Sequence, residues 1–197
     1  MAIVLCVISY FIGLGQDSDT DRTGVFVQLS PGFTLPVATG GNFLGTAYDL
    51  KPGFLGEAKV FLPNKIFVGI QGSFFKADVI DIASVGDFNR TNSWHNYVLG
   101  GYTWLPRSSK FGLDTGLGLG YSIYSNRKGD VNFHEDGFSM MANLHANYRF
   151  SRILGMDLGL QFTRDFLNTD TAPTLEDFFK NAKIIYFSVG LLFYIGK

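Results

Sequence analysis

Four short stretches of this chain hold residue types that could do chemistry at roughly the spacing chemistry needs. Asp114-Thr115-Gly116 is the triplet in which aspartic proteases carry each of two carboxylates that share a proton. Here it lies inside an unbroken alternating stretch and reads as strand. Gly116-x-Gly118-x-Gly120 has the outline of a dinucleotide-binding loop, but Tyr121 takes the place of the third glycine and no helix follows. Asp17, Asp19 and Asp21 have the odd-position spacing of a calcium loop. Arg22 replaces its turn glycine and Gln28 its bidentate glutamate, so a solvated stretch is expected there instead. His134-Glu135-Asp136 could expose a base or a ligand, as a surface lipid hydrolase would require, but spacing fixes no serine beside it. The chain is thus expected to have no catalytic, cofactor-binding or metal-binding residues.

Composition removes further classes. Charged residues are only 17% of the chain, and 16 Lys+Arg against 17 Asp+Glu leave a net charge of -1. No basic stripe is available to neutralise phosphates, so nucleic acid is not an expected partner. The single cysteine, Cys6, excludes a disulfide framework and a Cys-based zinc site. Abundant Gly (24), Phe (20) and Tyr (9) suit strands and close packing better than helices.

The elements that must position these residues follow from a two-residue period. In 111–123, Phe111, Leu113, Leu117, Leu119, Tyr121 and Ile123 share one face, with Thr115 the exception, and Gly112, Asp114, Gly116, Gly118, Gly120 and Ser122 share the other. Alternation recurs from Val25 to Leu35, Ala58 to Leu62, Ile66 to Phe74, Phe138 to Phe150, Met156 to Phe162 and Ile185 to Ile195. Trp94 to Leu105 completes the set with an ambiguous phase. Short turns at 63–65, 106–110 and 151–154 interleave with long polar loops at 38–53, 76–93, 125–137 and 166–183. The expectation is an all-β fold, an eight-stranded antiparallel up-and-down transmembrane β-barrel with tight periplasmic turns and longer outer loops.

The apolar run Ala2 to Leu14 is too short to span a bilayer and ends in the small-x-small pattern Gly13-Leu14-Gly15. Residues 1–15 are therefore expected to be a cleaved export signal, although Met1-Ala2-Ile3 lacks the usual Lys or Arg, and residues 16–197 to form the barrel domain.

A soluble barrel such as a lipocalin also alternates, but must clothe its outside in charge. Here the non-apolar face is Gly, Ser, Asn, Gln and Thr, suited to a crowded interior, while the apolar face carries one charge, Arg164, at its upper end. Lipid is the partner such a face predicts. Trp94 and Trp104 lie ten residues apart on one strand. That separation matches the apolar band of an outer membrane, about 25 Å along a tilted strand. With Tyr121 and Tyr148 they are expected to form interface girdles, the even face of their strand outward and Asn96 with it. The lumen is expected to be plugged and to hold a charge network of Glu57, Lys59, Asp114, Arg149 and Asp157, with His145 nearby and an Arg149–Asp157 ion pair beside the 151–154 turn.

Eight strands, alternating loops, a signal and an aromatic-ended last strand (Phe193, Tyr194) resemble the OmpX and OmpA transmembrane-domain type, and the stretch from Pro52-Gly53-Phe54 onward is similar to the outer membrane protein beta-barrel families. The resemblance implies an outer-membrane location and an encounter of the last strand with the barrel insertion machinery. Pro31 departs from a regular first strand and implies a bulge or local break. The long loops, including Phe88, Asn89, Arg90 and Leu175 to Phe179, are left to contact an extracellular partner or to fold over the barrel mouth. The expected role is a small non-enzymatic outer-membrane protein acting in interaction or envelope integrity. An outer-membrane lipid-modifying enzyme and a secreted lipocalin-like ligand-binding barrel are the alternatives. Leu119→Arg should impair membrane assembly, read as loss of the heat-modifiable gel mobility shift, and Gly118→Ser should do so much less; equal effects would reverse the assigned facing.

Overall fold

The computed structural model describes residues 26–86, 90–104, 109–128, 131–169 and 175–196. The expected signal over 1–15, the Asp17, Asp19 and Asp21 stretch, Phe88 and Asn89 lie outside the described residues. The strands are β1 (Phe26–Ala38), β2 (Tyr48–Leu50), β3 (Gly53–Phe61), β4 (Ile66–Val79), β5 (Arg90–Thr103), β6 (Phe111–Lys128), β7 (Val131–Arg149), β8 (Leu154–Leu167) and β9 (Asn181–Ile195). The short helices among the described residues are α1 (Phe43–Ala47), α2 (Ile82–Val85) and α3 (Glu176–Phe179).

Each long strand pairs antiparallel with its neighbours in sequence, β3 with β1, and β1 with β9 from Val27↔Ile195 to Ala38↔Ile184. The β1–β9 pairing closes the sheet into a barrel, so no long edge is left for another chain to pair with. Eight long strands form the wall, and β2 extends the β3 position at its upper end by pairing with β4. Four residues separate Leu50 from Phe54 while three separate their partners Ala77 and Phe74. That one-residue excess is a bulge between β2 and β3, and Pro52, which cannot donate to a ladder, sits in it.

At Pro31 the expected break takes a mild form. β1 keeps one register with β3 through Pro31↔Gly56, and one register with β9 on both sides of a gap at Ser30 and Pro31. Pro31 points outward, so the missing N–H interrupts one ladder without displacing any side chain to the other face.

Two of the expected loops are corrected. Residues 125–137 are not a loop: β6 and β7 stay paired out to Lys128↔Val131, which puts His134, Glu135 and Asp136 on a strand. Beyond the bilayer both faces of a hairpin are wet, so the polar-apolar contrast that marks a strand fades while the backbone pairing continues. Residues 38–53 contain α1, whose N-cap Asn42 accepts a hydrogen bond from the Gly45 N–H at 3.0 Å.

The facing of the wall decides its medium. Leu117 is 71% exposed and Val98 69%, with Phe33, Leu35, Leu119, Leu158, Leu160, Phe187, Val189 and Leu191 also on the outer face. Inside, Gly101 and Gly116 give way to the Phe67 ring, whose Cζ would lie 2.3 Å and 3.3 Å from a Cβ at each position. A water-facing exterior cannot be built of such residues in this density, which removes the soluble lipocalin-like alternative. Gly120→Ala would set a Cβ 2.0 Å from the Asn96 carbonyl oxygen, whereas a Cβ at Gly56 meets nothing within 4 Å. The first should cost about 1–3 kcal/mol, lowering the temperature at which heat-modifiable mobility is lost, and the second close to nothing.

Candidate functional site

Two surfaces are built by this wall: an outer face that carries aromatic side chains at two levels and a lumen lined by polar side chains. On the outer face the even residues of β5 point out, Trp94 at 50% and Trp104 at 56% exposure, with Asn96 beside them. Phe74 and Trp94 (ring centroids 4.5 Å apart), Phe138 and Phe166 (6.2 Å) and Tyr121 mark the upper level. Tyr102 and Trp104 (5.3 Å), Phe111 and Tyr148 (4.9 Å), and Phe150 against Tyr148 (5.3 Å) mark the lower. Rings with a polar edge settle at these levels because tails and headgroups are both within reach. The Trp104 indole N–H donates to Thr115 Oγ1 at 2.8 Å, which explains the threonine among the apolar residues of that face of β6. The Tyr121 hydroxyl likewise donates to Asp136. Between the levels a hollow of about 860 Å³ crosses the outer wall, bordered by Leu29, Ile70, Val98 and Leu119 where Gly56 and Gly72 thin it.

Inside, polar side chains stack in tiers because successive inward positions of antiparallel neighbours meet across the narrow bore. In the lower tier Lys59 Nζ lies 2.6 Å from Glu57, and over the Phe67 ring at 4.9 Å. His145 Nδ1 stands 2.9 Å from Asp157 and its Nε2 3.9 Å from Glu57. Asn147 donates to Asp114 at 2.7 Å. Gln71 donates to Gln161 at 2.6 Å in the middle tier. Above it, the Asp165 carboxylate receives Tyr124 and Ser139 hydroxyls and faces His95 Nε2 at 2.9 Å, while Tyr97 shares a hydrogen bond with Ser139 at 2.8 Å.

α1 packs at the mouth over this tier. Phe43 and Leu44, 3% and 0% exposed, pack with Phe75, Tyr124, Ile184 and Tyr186 from the wall, and Phe178 and Phe179 of α3 cover them. Leu175 to Phe179 thus folds over the mouth, one of its two sequence readings.

Lys59, Glu57, Asp114 and Asp157 occupy one lower tier with His145, while Arg149 lies nearer the barrel end, its guanidinium 4.6 Å over the Tyr194 ring. The structure departs from the expected Arg149–Asp157 pair. Asp157 stands opposite Asn147 with His145 and Arg149 on its two diagonals, and it is His145 that meets the aspartate while the Arg149 guanidinium turns to the Tyr194 ring. The upper tier was not legible from sequence: Asp165 lies one step beyond the clear alternation of its strand, and His95 belongs to the strand of ambiguous phase. Extending the parity of Asp157 by eight residues finds Asp165.

Ser93 Oγ lies 3.4 Å from His95 Nδ1, so Ser93, His95 and Asp165 form a line of nucleophile, base and carboxylate. All three are 0% exposed, and a substrate cannot reach them; the line is a brace between strands. A second pair is exposed: Ser125 Oγ lies 2.9 Å from His134 Nδ1 on the outer face above Trp94, supplying the serine that spacing could not. Among the described residues no group of His, Cys, Asp and Glu is arranged to hold a metal ion.

No family model matches the chain, and no curated protein does. Solved structures share its fold. Neisserial surface protein A covers 86% of this chain and 96% of its own, at a TM-score of 0.60 and 14% identity. The outer membrane protein AlkL, solved in lipid bilayers, covers 92% and 95% at 0.60 and 11%. The outer membrane protein OprG of Pseudomonas aeruginosa covers 90% and 100% at 0.57 and 12%. The fold and the outward apolar band together define the class: an eight-stranded outer-membrane β-barrel.

Lys59→Met should leave Glu57 as a buried carboxylate without its cation and cost about 3–5 kcal/mol, whereas Lys59→Met with Glu57→Gln should recover most of the loss. Thermal unfolding in detergent reads both, and a double variant no better than the single would deny the coupling.

Proposed function

We propose that the chain is a sealed, non-enzymatic outer-membrane barrel whose rigid wall carries an outer surface for interaction or envelope integrity. The observation that supports it most is the filled bore: α1 packed into the mouth above three tiers of buried polar side chains. A conducting pore needs a continuous wet path, and here Tyr124, Tyr186, Lys59 and Phe67 are among the largest fully buried side chains. The upper hairpin of β6 and β7, reaching Lys128 and Val131, and the helix α2 are the parts left to meet a partner outside. Reconstituted into planar bilayers, the protein should give no discrete current steps; clear single-channel currents from wild type would overturn the sealed reading.

One contact favours a second reading, an enzyme acting on outer-leaflet lipid. Ser125 and His134 are paired and exposed at the upper rim, and Asn92 lies directly across from Ser125 in register. Among the described residues, the strand N–H groups beside this pair belong to the ladder and do not form a backbone oxyanion hole. Incubation with phospholipid vesicles should release no fatty acid. Release that Ser125→Ala abolishes would replace the first reading with this one.

A further inference from the structure

Between the aromatic levels and their rims the outer wall carries one pair of facing cations. Arg164 of β8 and Lys183 of β9 are directly opposite in register, and both point outward and are exposed. Their row begins at Met140, and the next outward row below is Phe162 and Ile185. Above lie Phe166 and Asn181, and both hold Arg164: its guanidinium is 4.7 Å over the Phe166 ring, and Nη2 donates to Asn181 Oδ1 at 3.2 Å. The Arg164 head therefore reaches up to the level of the upper aromatic belt, where Phe166 meets Phe138.

Two features of this doublet are costly without an anion. Like charges facing each other across a ladder repel. A cation on the lipid-facing wall is also unfavourable below the interface. Among the described residues neither side chain has an acidic partner: the ion pairs join Lys51 to Asp49 and Asp78, Lys59 to Glu57, Lys180 to Glu176, and His95 and His145 to inward carboxylates. The nearest acid in sequence, Asp165, points into the lumen and is 0% exposed. Everywhere else on the membrane-facing wall, parity places cations either in the bore or beyond the belts.

We propose that Arg164 and Lys183 form a docking site for the phosphate headgroup of an outer-leaflet lipid. The guanidinium, already oriented by Asn181 and Phe166, offers a fork to two phosphate oxygens, and the Lys183 ammonium adds a second charge from the neighbouring strand. Phe162, Ile185 and Val37 beneath them give the acyl chains of the same molecule an apolar track towards the bilayer centre. A lipid fits better than a free anion because headgroup and track lie on one continuous face at the depth where headgroup and tails meet. The site does not depend on the bore being sealed, so a failure of one leaves the other standing.

The test is native mass spectrometry of the intact barrel released from detergent, with heat-modifiable gel mobility as the check on folding. The probe is a glucosamine disaccharide lipid carrying phosphomonoesters, compared with its dephosphorylated form. Wild type should retain one phosphorylated lipid per chain, and retention should fall at least about tenfold for the dephosphorylated lipid. Arg164→Gln with Lys183→Gln should lose retention to the same degree, while Lys65→Gln with Lys110→Gln, removing equal charge at the opposite end, should not. Retention that ignores either the phosphate or the doublet would overturn the proposal. Displacement by millimolar inorganic phosphate alone would overturn it too, by making the doublet a site for free anions.

Discussion

A bilayer interior offers no water to a peptide group, and every other feature of this barrel follows from that. The N–H and C=O groups of eight tilted strands can all be satisfied only if the last strand finds the first, as β9 finds β1. Closure fixes parity: once the ladder is sealed, each residue faces either the tails or the bore, and a slip of one residue would exchange the two sets throughout a strand. The seam tolerates Pro31 because the proline faces outward in a gap that leaves the register unchanged on both sides. The bulge before Gly53 is tolerated because it lies above the wall, where water can serve the orphaned groups.

Parity also explains why so small a protein holds so many buried polar groups. Residues that cannot face tails are driven into a bore too narrow for bulk water, and there they must satisfy one another. Lys59 with Glu57 along one strand, His145 with Asp157 between neighbouring strands, and Gln71 with Gln161 and Asp165 with His95 and Tyr124 between strands distant in sequence are those contacts.

Much of the wall was legible in the chain because the bilayer enforces a strict alternation inside its thickness. Strands β6, β7 and β9 could be read with their facing, while β5 was ambiguous in its alternation and only the spacing of Trp94 and Trp104 favoured the even face that the structure turns outward. Alternation weakens where the membrane stops enforcing it. The β6–β7 hairpin therefore looked like a loop from Ser125 to Gly137, and α1, whose apolar residues turn inward from above, looked like a polar connection. His134 was visible as a candidate base, but its neighbour Ser125 was not, because the two are nine residues apart along a hairpin whose register had to be known first.

The order of side chains along each strand determined the architecture, the medium it sits in and the membership of the lumen, since those depend only on parity and on the length of the apolar band. Which lumen charges meet was decided by the register between strands and the shear of the closed barrel. Those set Asp157 between His145 and Arg149, of which His145 meets it, and assembled Asp165 with His95 from positions 70 residues apart. Parity is a local property of a chain, carried by each residue and the next. Register is a relation between strands, and it exists only once the cylinder has closed.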